Sequence, residues 1–585
     1  MQGAAILVMA TVLVKLIGAL FKIPLNNLIG NVASGYFGSA YNLFVPIYSV
    51  CVAGMPVAVA RMVAETSVRG RYRDSRKIFR VALLAFFIVG LIAMLLLAAF
   101  AKPFVTIQES PGAVWAVLAI APAVFFGCIM SAYRGYYEGL RNMNPTAVSQ
   151  IIEALIKLLS GLAMAFIIIK LAQQQYISSQ TVFGTPIQIP AELTGQDKID
   201  AIQKQVQMAA APYTALAATL GVTVSTLVGT LFLMLRHKLR GDGITREELA
   251  ASPRAMSGKT LLIRLLKIAI PVSIGSLATN LTTVIDVFSI KWRLNGVAEH
   301  FTDVIMQMYG SHMPTDIPVD MIPDELWGVY SVAVLSLFNL VPSLCVAFGK
   351  SALPNITVCW TRKDIRGTKR NIESVLRITS LLAIPAGIGL CALSEPIMQL
   401  LYNEDTAAIG SPILAILGIA CIFVSITTPV YNMLQAVGKI NVPVVLMILG
   451  ALIKLICNFT LVGIPQLNIR GAAVGTLLCY VVILILAMTA LCRHTKVVPN
   501  IISVFVKPLV AAALMGGGAW AANGLLRHVL PESMGDLVTL AAILVGVLIY
   551  AVSLILLRAI SKDDILMLPK GEKIAKVLEK RGIIG

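Results

Sequence analysis

Apolar stretches long enough to cross a bilayer alternate with short polar segments along almost the whole chain. A hydrophobic run of eighteen or more residues with few charges is the signature of a transmembrane helix, because about twenty residues at 1.5 Å each span the hydrocarbon core. Fourteen such runs are expected, at about 4–28, 36–60, 78–101, 112–137, 145–171, 209–235, 267–291, 326–350, 371–394, 410–437, 441–462, 470–492, 503–526 and 537–559. Prolines inside them, among them Pro24, Pro46, Pro56, Pro122, Pro271, Pro342 and Pro385, mark kinks and not ends. The pattern predicts an all-α polytopic membrane protein whose first helix is retained. The outer segments 172–208 and 292–325 are polar and long enough for short interfacial helices or lids.

Composition agrees: of 585 residues, 58% are hydrophobic and 13% charged, and mean hydropathy is +0.85. A net charge of +18 would suggest nucleic acid in a soluble protein. Here the excess sits in short loops. Basic clusters follow spans two (Arg69, Arg71, Arg73, Arg76, Lys77, Arg80), six (Arg236, Lys238, Arg240, Arg246, Arg254) and eight (Arg362, Lys363, Arg366, Lys369, Arg370). A fourth lies in the tail (Lys562, Lys570, Lys573, Lys576, Lys580, Arg581). All follow even-numbered spans and so share one side. The loop after span seven is acidic, with Glu299, Asp303, Asp316, Asp320, Asp324 and Glu325. The positive-inside rule then puts both termini in the cytoplasm. The nine cysteines lie in or beside apolar runs without paired spacing, and the five histidines are scattered. Neither set suggests a disulfide framework or a metal site.

An internal duplication organises the spans. Asn144-Pro145 through Ala154-Leu155-Ile156-Lys157-Leu158 recurs as Asn441 through Ala451-Leu452-Ile453-Lys454-Leu455. Phe44-Val45-Pro46 with Met55-Pro56 is echoed by Leu340-Val341-Pro342 with Leu353-Pro354 at nearly the same offset, each followed by a basic loop. The repeat pairs span two with eight, four with ten and five with eleven. It predicts two parallel six-helix lobes at 1–236 and 267–495, joined by a cytoplasmic linker at 237–266. Helices thirteen and fourteen at 496–560 and a cytoplasmic tail at 561–585 follow. Parallel repeats suit alternating access, with the site between lobes.

Cations in membrane spans are costly, about 2.5–3.5 kcal/mol each on insertion scales, and usually face a protein interior or a wet cavity. Lys15 and Lys22 are seven residues apart, on one face and about 10 Å apart along the axis. Two ammoniums at that spacing suit a diphosphate. Glu153 and Lys157 have the i,i+4 spacing of an intrahelical ion pair. In the repeat copy Gly450 replaces Glu153, so Lys454 must find another partner, face water or bind an anion. Asp286, deep in span seven, could pair with a lysine across the lobe interface or bind a coupling cation. Glu153, Lys157, Asp286 and Lys454 are therefore candidates for gating or coupling. Lys291 and Arg293 are expected to be interfacial anchors, and Arg134 with Glu138 a structural pair.

Fourteen spans with a six-plus-six repeat resemble the exporter superfamily of drug antiporters and lipid-linked oligosaccharide flippases. Val14-Lys15-Leu16-Ile17-Gly18-Ala19-Leu20-Phe21-Lys22-Ile23-Pro24-Leu25, then Pro46-Ile47-Tyr48-Ser49 and Gly54-Met55-Pro56-Val57-Ala58-Val59-Ala60, resemble the SpoVB/MurJ group. That resemblance implies a flippase for lipid II or another undecaprenyl-diphosphate-linked glycan, with Lys15 and Lys22 on the helix that lines the cavity. It also implies a seventh-helix acidic position at Asp286. Where MurJ proteins of the Gram-negative type carry arginines on spans two and eight, the chain has Tyr48/Ser49 and Ser336/Leu337, which fits the SpoVB-like branch better.

The expected partners are a lipid-linked oligosaccharide and membrane lipids, with no nucleic acid, in a monomer of the bacterial plasma membrane. No cofactor or metal is expected; membrane potential or a monovalent cation would drive the cycle. The rival readings are a cation-coupled drug antiporter, which would want acidic cavity residues, and an outer-loop enzyme using His300, Asp303, His312 and Asp316.

Overall fold

The computed structural model describes residues 2–559 except 188, 190–193, 532 and 533. The expected tail at 561–585, with its basic residues, lies outside the described residues. Eighteen α-helices are present among those described: α1 (Gln2–Ile29), α2 (Asn31–Val68), α3 (Tyr72–Ile107), α4 (Val114–Gly139), α5 (Asn144–Ser179), α6 (Gly195–Arg240), α7 (Arg246–Ala251), α8 (Gly258–His300), α9 (Thr302–Tyr309), α10 (Ile322–Gly328), α11 (Leu335–Thr361), α12 (Ile365–Ala392), α13 (Ser394–Leu401), α14 (Glu404–Ala436), α15 (Asn441–Cys457), α16 (Asn468–Thr495), α17 (Lys507–Val529) and α18 (Gly535–Leu556). Fourteen helical spans are long and apolar enough to cross a membrane, in the expected order. The protein is a multi-pass, all-α membrane protein. Many apolar side chains remain exposed, such as Leu84, Leu95, Leu159 and Leu544, as lipid-facing surfaces require.

The polar segments 172–208 and 292–325 carry regular structure over their described residues. Between α5 and α6 lies a two-stranded antiparallel hairpin, Thr181–Val182 with Thr185–Pro186, closed at Gly184 where φ is +87°. Val182 and Ile187 pack on Ile169, Ala172, Val206 and Ala210, so this segment is a small apolar cap on the ends of α5 and α6. The segment 292–325 forms the end of α8, then α9 and the start of α10.

By its contacts the chain divides into Met1–Ala333 and Val334–Gly585. The division falls within the π-helical turn Val329–Val334 that links α10 to α11. It differs from the boundaries of the sequence duplication, which start the second lobe at 267. The reason is local: α8 and α10 pack on α2. Ser273 donates to the Val50 carbonyl at 2.8 Å, and a Cβ at Gly54 would strike Ser273. Gly35 and Gly328 face the backbone of Asp324 and of Asn31, with no room for a methyl.

In the second unit, α11, α12 and α16 surround α14, α15 lies on α16, and α17 packs between α12 and α18. Lys157 on α5 and Lys454 on α15 stand equally far from the start of their helices, as the duplication requires.

Candidate functional site

Glycine placement brings α1 and α5 together. Phe21 is fully buried against Gly161, where a Cβ would lie 2.7 Å from the ring edge. Gly161 in turn backs onto Gly221 of α6. This close approach sets Lys22, next to Phe21, opposite Lys157. Between them stands Tyr41 of α2. The Lys22 ammonium lies 5.2 Å from the centre of the Tyr41 ring, and that of Lys157 lies 4.8 Å from it. Lys157 also donates to the Tyr41 hydroxyl at 3.3 Å and lies 5.3 Å from the Phe21 ring.

Tyr41 belongs to an aromatic stripe. Phe37, Tyr41, Phe44 and Tyr48 recur at the spacing of one helix face, with centroid separations of 5.5, 6.1 and 4.8 Å. Aromatic faces attract cations by about 0.5–2 kcal/mol each, more when desolvated. They do not neutralise them. Among the described residues no carboxylate lies within ion-pair distance of Lys22 or Lys157. Two half-buried ammoniums on membrane spans therefore share one phenol and an excess of positive charge. An anion with several acceptor oxygens would relieve both.

The i,i+4 pair between Glu153 and Lys157 does not form, and this corrects the expectation from spacing. Glu153 accepts from Arg134 at 2.9 Å, and Arg134 Nε donates to Ser149 at 3.0 Å. The expected Arg134–Glu138 pair is absent for the same reason. Arg134 reaches across from α4 to α5, where carboxylate and hydroxyl together match its planar donors. Lys15 is exposed on α1. Asp286 on α8 and Lys454 on α15 are buried, at 7% and 5% exposure. At the place in the repeat that Glu153 holds, Gly450 abuts Ile483 and accepts from the Cys479 thiol at 3.2 Å, so this face of α15 is filled by α16.

Lys291 is fully buried and is no interfacial anchor. It pairs with Asp324, which also accepts from Ser110 at 2.8 and 3.0 Å. Around them Gln108 donates to the Val287 carbonyl at 2.7 Å, Asn295 to the Gln108 carbonyl at 2.8 Å, and Asn31 to Glu325 at 2.7 Å. This network ties α8 and α10 to α2 and the end of α3. Two carboxylates read as loop acids are thus structural. Elsewhere in that segment, His300 Nδ1 lies 3.0 Å from the carbonyl of Gly296 on its own helix. Among the described residues no group of three His, Cys, Asp or Glu side chains converges to hold a metal.

The second unit contains an apolar cavity of about 470 Å³. Leu340 of α11, Leu381 and Pro385 of α12, Met515 of α17 and Val547 and Tyr550 of α18 are among its walls. Tyr550 donates to the Leu381 carbonyl at 2.9 Å, which satisfies its hydroxyl and leaves the ring edge to the cavity.

Residues 327–535 match the family described as Lipid II flippase MurJ, and residues 1–184 match the family described as Polysaccharide biosynthesis protein. The Lipid II flippase MurJ of Bacillus subtilis (strain 168) is 24% identical over 88% of this chain and 87% of its own length. Stage V sporulation protein B of the same organism is 22% identical over 97% of both chains. Among solved structures, a Lipid II flippase MurJ in an inward closed conformation superposes with a TM-score of 0.60 at 15% identity, covering 93% of this chain and 97% of the other. An inward-facing multidrug resistance MATE family transporter of the MOP superfamily superposes with a TM-score of 0.53 at 13% identity, covering 82% and 99%.

Proposed function

We propose that this chain, MurJ- and SpoVB-like in sequence and with the exporter-superfamily fold, is a flippase. Its cargo is a lipid-linked cell-wall precursor, an undecaprenyl-diphosphate-linked glycan for which lipid II is the first choice. It works by alternating access in the bacterial plasma membrane, with both termini cytoplasmic, and is a transporter, not an enzyme. The observation that carries this reading is the pair of ammoniums, Lys22 and Lys157, held on Tyr41 without a carboxylate partner among the described residues. A diphosphate offers charge and acceptors to both. Lys15, on the same helix as Lys22, extends the cationic track toward the phosphates and sugar. Asp286 and Lys454 are buried ionisable groups suited to gating or cation coupling. The apolar cavity in the second unit has the chemistry of a polyprenyl tail. An inward-negative potential favours outward movement of an anionic head group, by about 2.3 kcal/mol per charge per 100 mV.

The test is lipid II exposure on the outer leaflet of cells depleted of their own flippase. The parent chain should restore exposure, and Lys22→Gln with Lys157→Gln should not. Full restoration by the double variant would sink the cationic grip. Failure of the parent, with the protein present in the membrane, would redirect the reading to a different undecaprenyl-linked glycan.

A further inference from the structure

A strongly cationic groove of about 910 Å³ lies at the start of α3, on the face that loop charge assigns to the cytoplasm. One wall is α3 itself. Arg73, Lys77, Arg80 and Leu84 fall at i, i+4, i+7 and i+11, a single stripe about 16 Å long. The stripe passes from cations to apolar side chains as the helix enters the membrane. Leu84 is exposed, and the span that follows has a mean hydropathy of 3.0. The other wall is the linker after α6. Arg246, Leu249 and Ala250 of α7 face the stripe, with Ala255 beyond them.

The groove is built, not a loose charged loop. Arg76 grips Asp242 through two hydrogen bonds of 2.7 and 2.9 Å, and Tyr136 donates to the same carboxylate at 2.9 Å. Arg73 donates from Nε to the Leu249 carbonyl at 2.9 Å and from its backbone to Ser252 at 3.1 Å. Met256 donates its amide to buried Asp74 at 2.7 Å. Both carboxylates are thus consumed in holding the linker down. Glu248 is occupied by the capping box with Thr245. Among the described residues no carboxylate comes within ion-pair distance of Lys77, Arg80 or Arg246.

We infer that this groove binds the phosphate-bearing head group of an anionic inner-leaflet phospholipid, with its acyl chains laid along Val81 and Leu84. The cation-to-apolar gradient along one helix face selects a lipid over a soluble phosphate ester, which would use the basic end alone. Because Asp242 and Asp74 fix the wall before any ligand arrives, the lipid needs no folding of the linker. This site lies apart from Lys22 and Lys157, and its occupant is resident lipid, not the transported cargo.

The full chain, purified in a neutral detergent, is titrated with dioleoylphosphatidylglycerol and the adducts are counted by native mass spectrometry. Dioleoylphosphatidylcholine, glycerol 3-phosphate and inorganic phosphate are run in parallel. Lys77→Gln, Arg80→Gln and Arg246→Gln spare the residues that clamp the linker. Combined, they should weaken phosphatidylglycerol binding on the order of 100-fold, from roughly fivefold per basic residue near an anionic surface. Each single variant should show its share, so the inference does not depend on the triple variant folding. Arg362→Gln, Lys363→Gln and Arg366→Gln combined, an equal loss of three charges in another basic loop, should leave binding unchanged. Phosphatidylcholine should bind parent and variants alike. Equal phosphatidylglycerol binding by parent and groove variants would overturn the inference. Displacement of the lipid by equimolar glycerol 3-phosphate or inorganic phosphate would overturn it too, making the groove a site for a soluble phosphate.

Discussion

Glu153 accepts from Arg134 at 2.9 Å, while Lys157, one turn further along the same helix, donates to Tyr41 at 3.3 Å. Two charges with ideal spacing for each other have taken partners on other helices. The consequence is a division of labour. Glu153 and Arg134 join α5 to α4, and Lys157 is left beside Lys22 on the Tyr41 ring. Glu153→Gln should therefore destabilise the protein, by about 3 kcal/mol, because it leaves a buried guanidinium without its anion. Arg134→Met combined with Glu153→Leu should recover most of that loss. A thermal melt in detergent with a fixed lipid content checks both.

Tyr41 separates two contributions. Tyr41→Phe keeps the aromatic face under both ammoniums and removes only the hydroxyl acceptor. A hydrogen bond to a charged group is worth about 1.5–3 kcal/mol, so transport should fall on the order of 10-fold. Tyr41→Ala removes the ring as well and should fall further. The readout is the rate at which lipid II becomes accessible on the outer leaflet, normalised to protein in the membrane.

The Lys291–Asp324 pair predicts an asymmetry. Asp324→Asn leaves a fully buried ammonium with a weaker acceptor and should cost about 3–5 kcal/mol. Replacing both residues by Met and Leu should be far milder. Protease resistance of the folded chain, measured across a temperature series, distinguishes the two outcomes.

Asp242 gives the linker a pH dependence. Partial burial pushes its carboxyl up, but the hydrogen bonds from Arg76, Tyr136 and the Ile244 amide, with the Arg76 charge, outweigh it and hold the group below its ordinary value of 3.8. A depressed carboxylate contributes its full stability above the unfolded value and loses it as pH falls through the folded one. Hydrogen exchange in 241–257 should therefore be flat from pH 7 to about 4, once corrected for intrinsic rate, and rise below that. Asp242→Asn should show the raised exchange at every pH.

Much of the fold is legible in the sequence because membrane spans announce themselves by length and apolarity, one helix at a time. Pairings are harder. The spacing of Glu153 and Lys157 gave a partner within one helix, yet Arg134 on α4 offers Glu153 a guanidinium and a better geometry. Lys291 and Asp324 are 33 positions apart across a segment that reads as a solvated acidic loop. Only the turn of the chain back onto α2 buries both. Tyr41 could have been found: Phe37, Tyr41, Phe44 and Tyr48 make a visible stripe, and a stripe of aromatics beside membrane lysines is a cation-π signal.

The contact between Asn31 and Glu325 has a consequence for how the protein is made. These residues bond at 2.7 Å across 294 positions, and Ser110 meets Asp324 across 214. At ribosomal speeds of about 5–20 residues per second, Asn31 is synthesised roughly 15–60 s before its acceptor exists. Throughout that interval the Asn31 amide nitrogen lacks its Glu325 acceptor, while its side-chain oxygen already accepts from Asn26 at 3.2 Å. The early helices meet first through Asn26, which donates to Asn31 at 3.2 Å and to Ser34 at 2.8 Å, and the link to α10 is added later. The first unit can close only when the chain has passed the ribosome well beyond its midpoint.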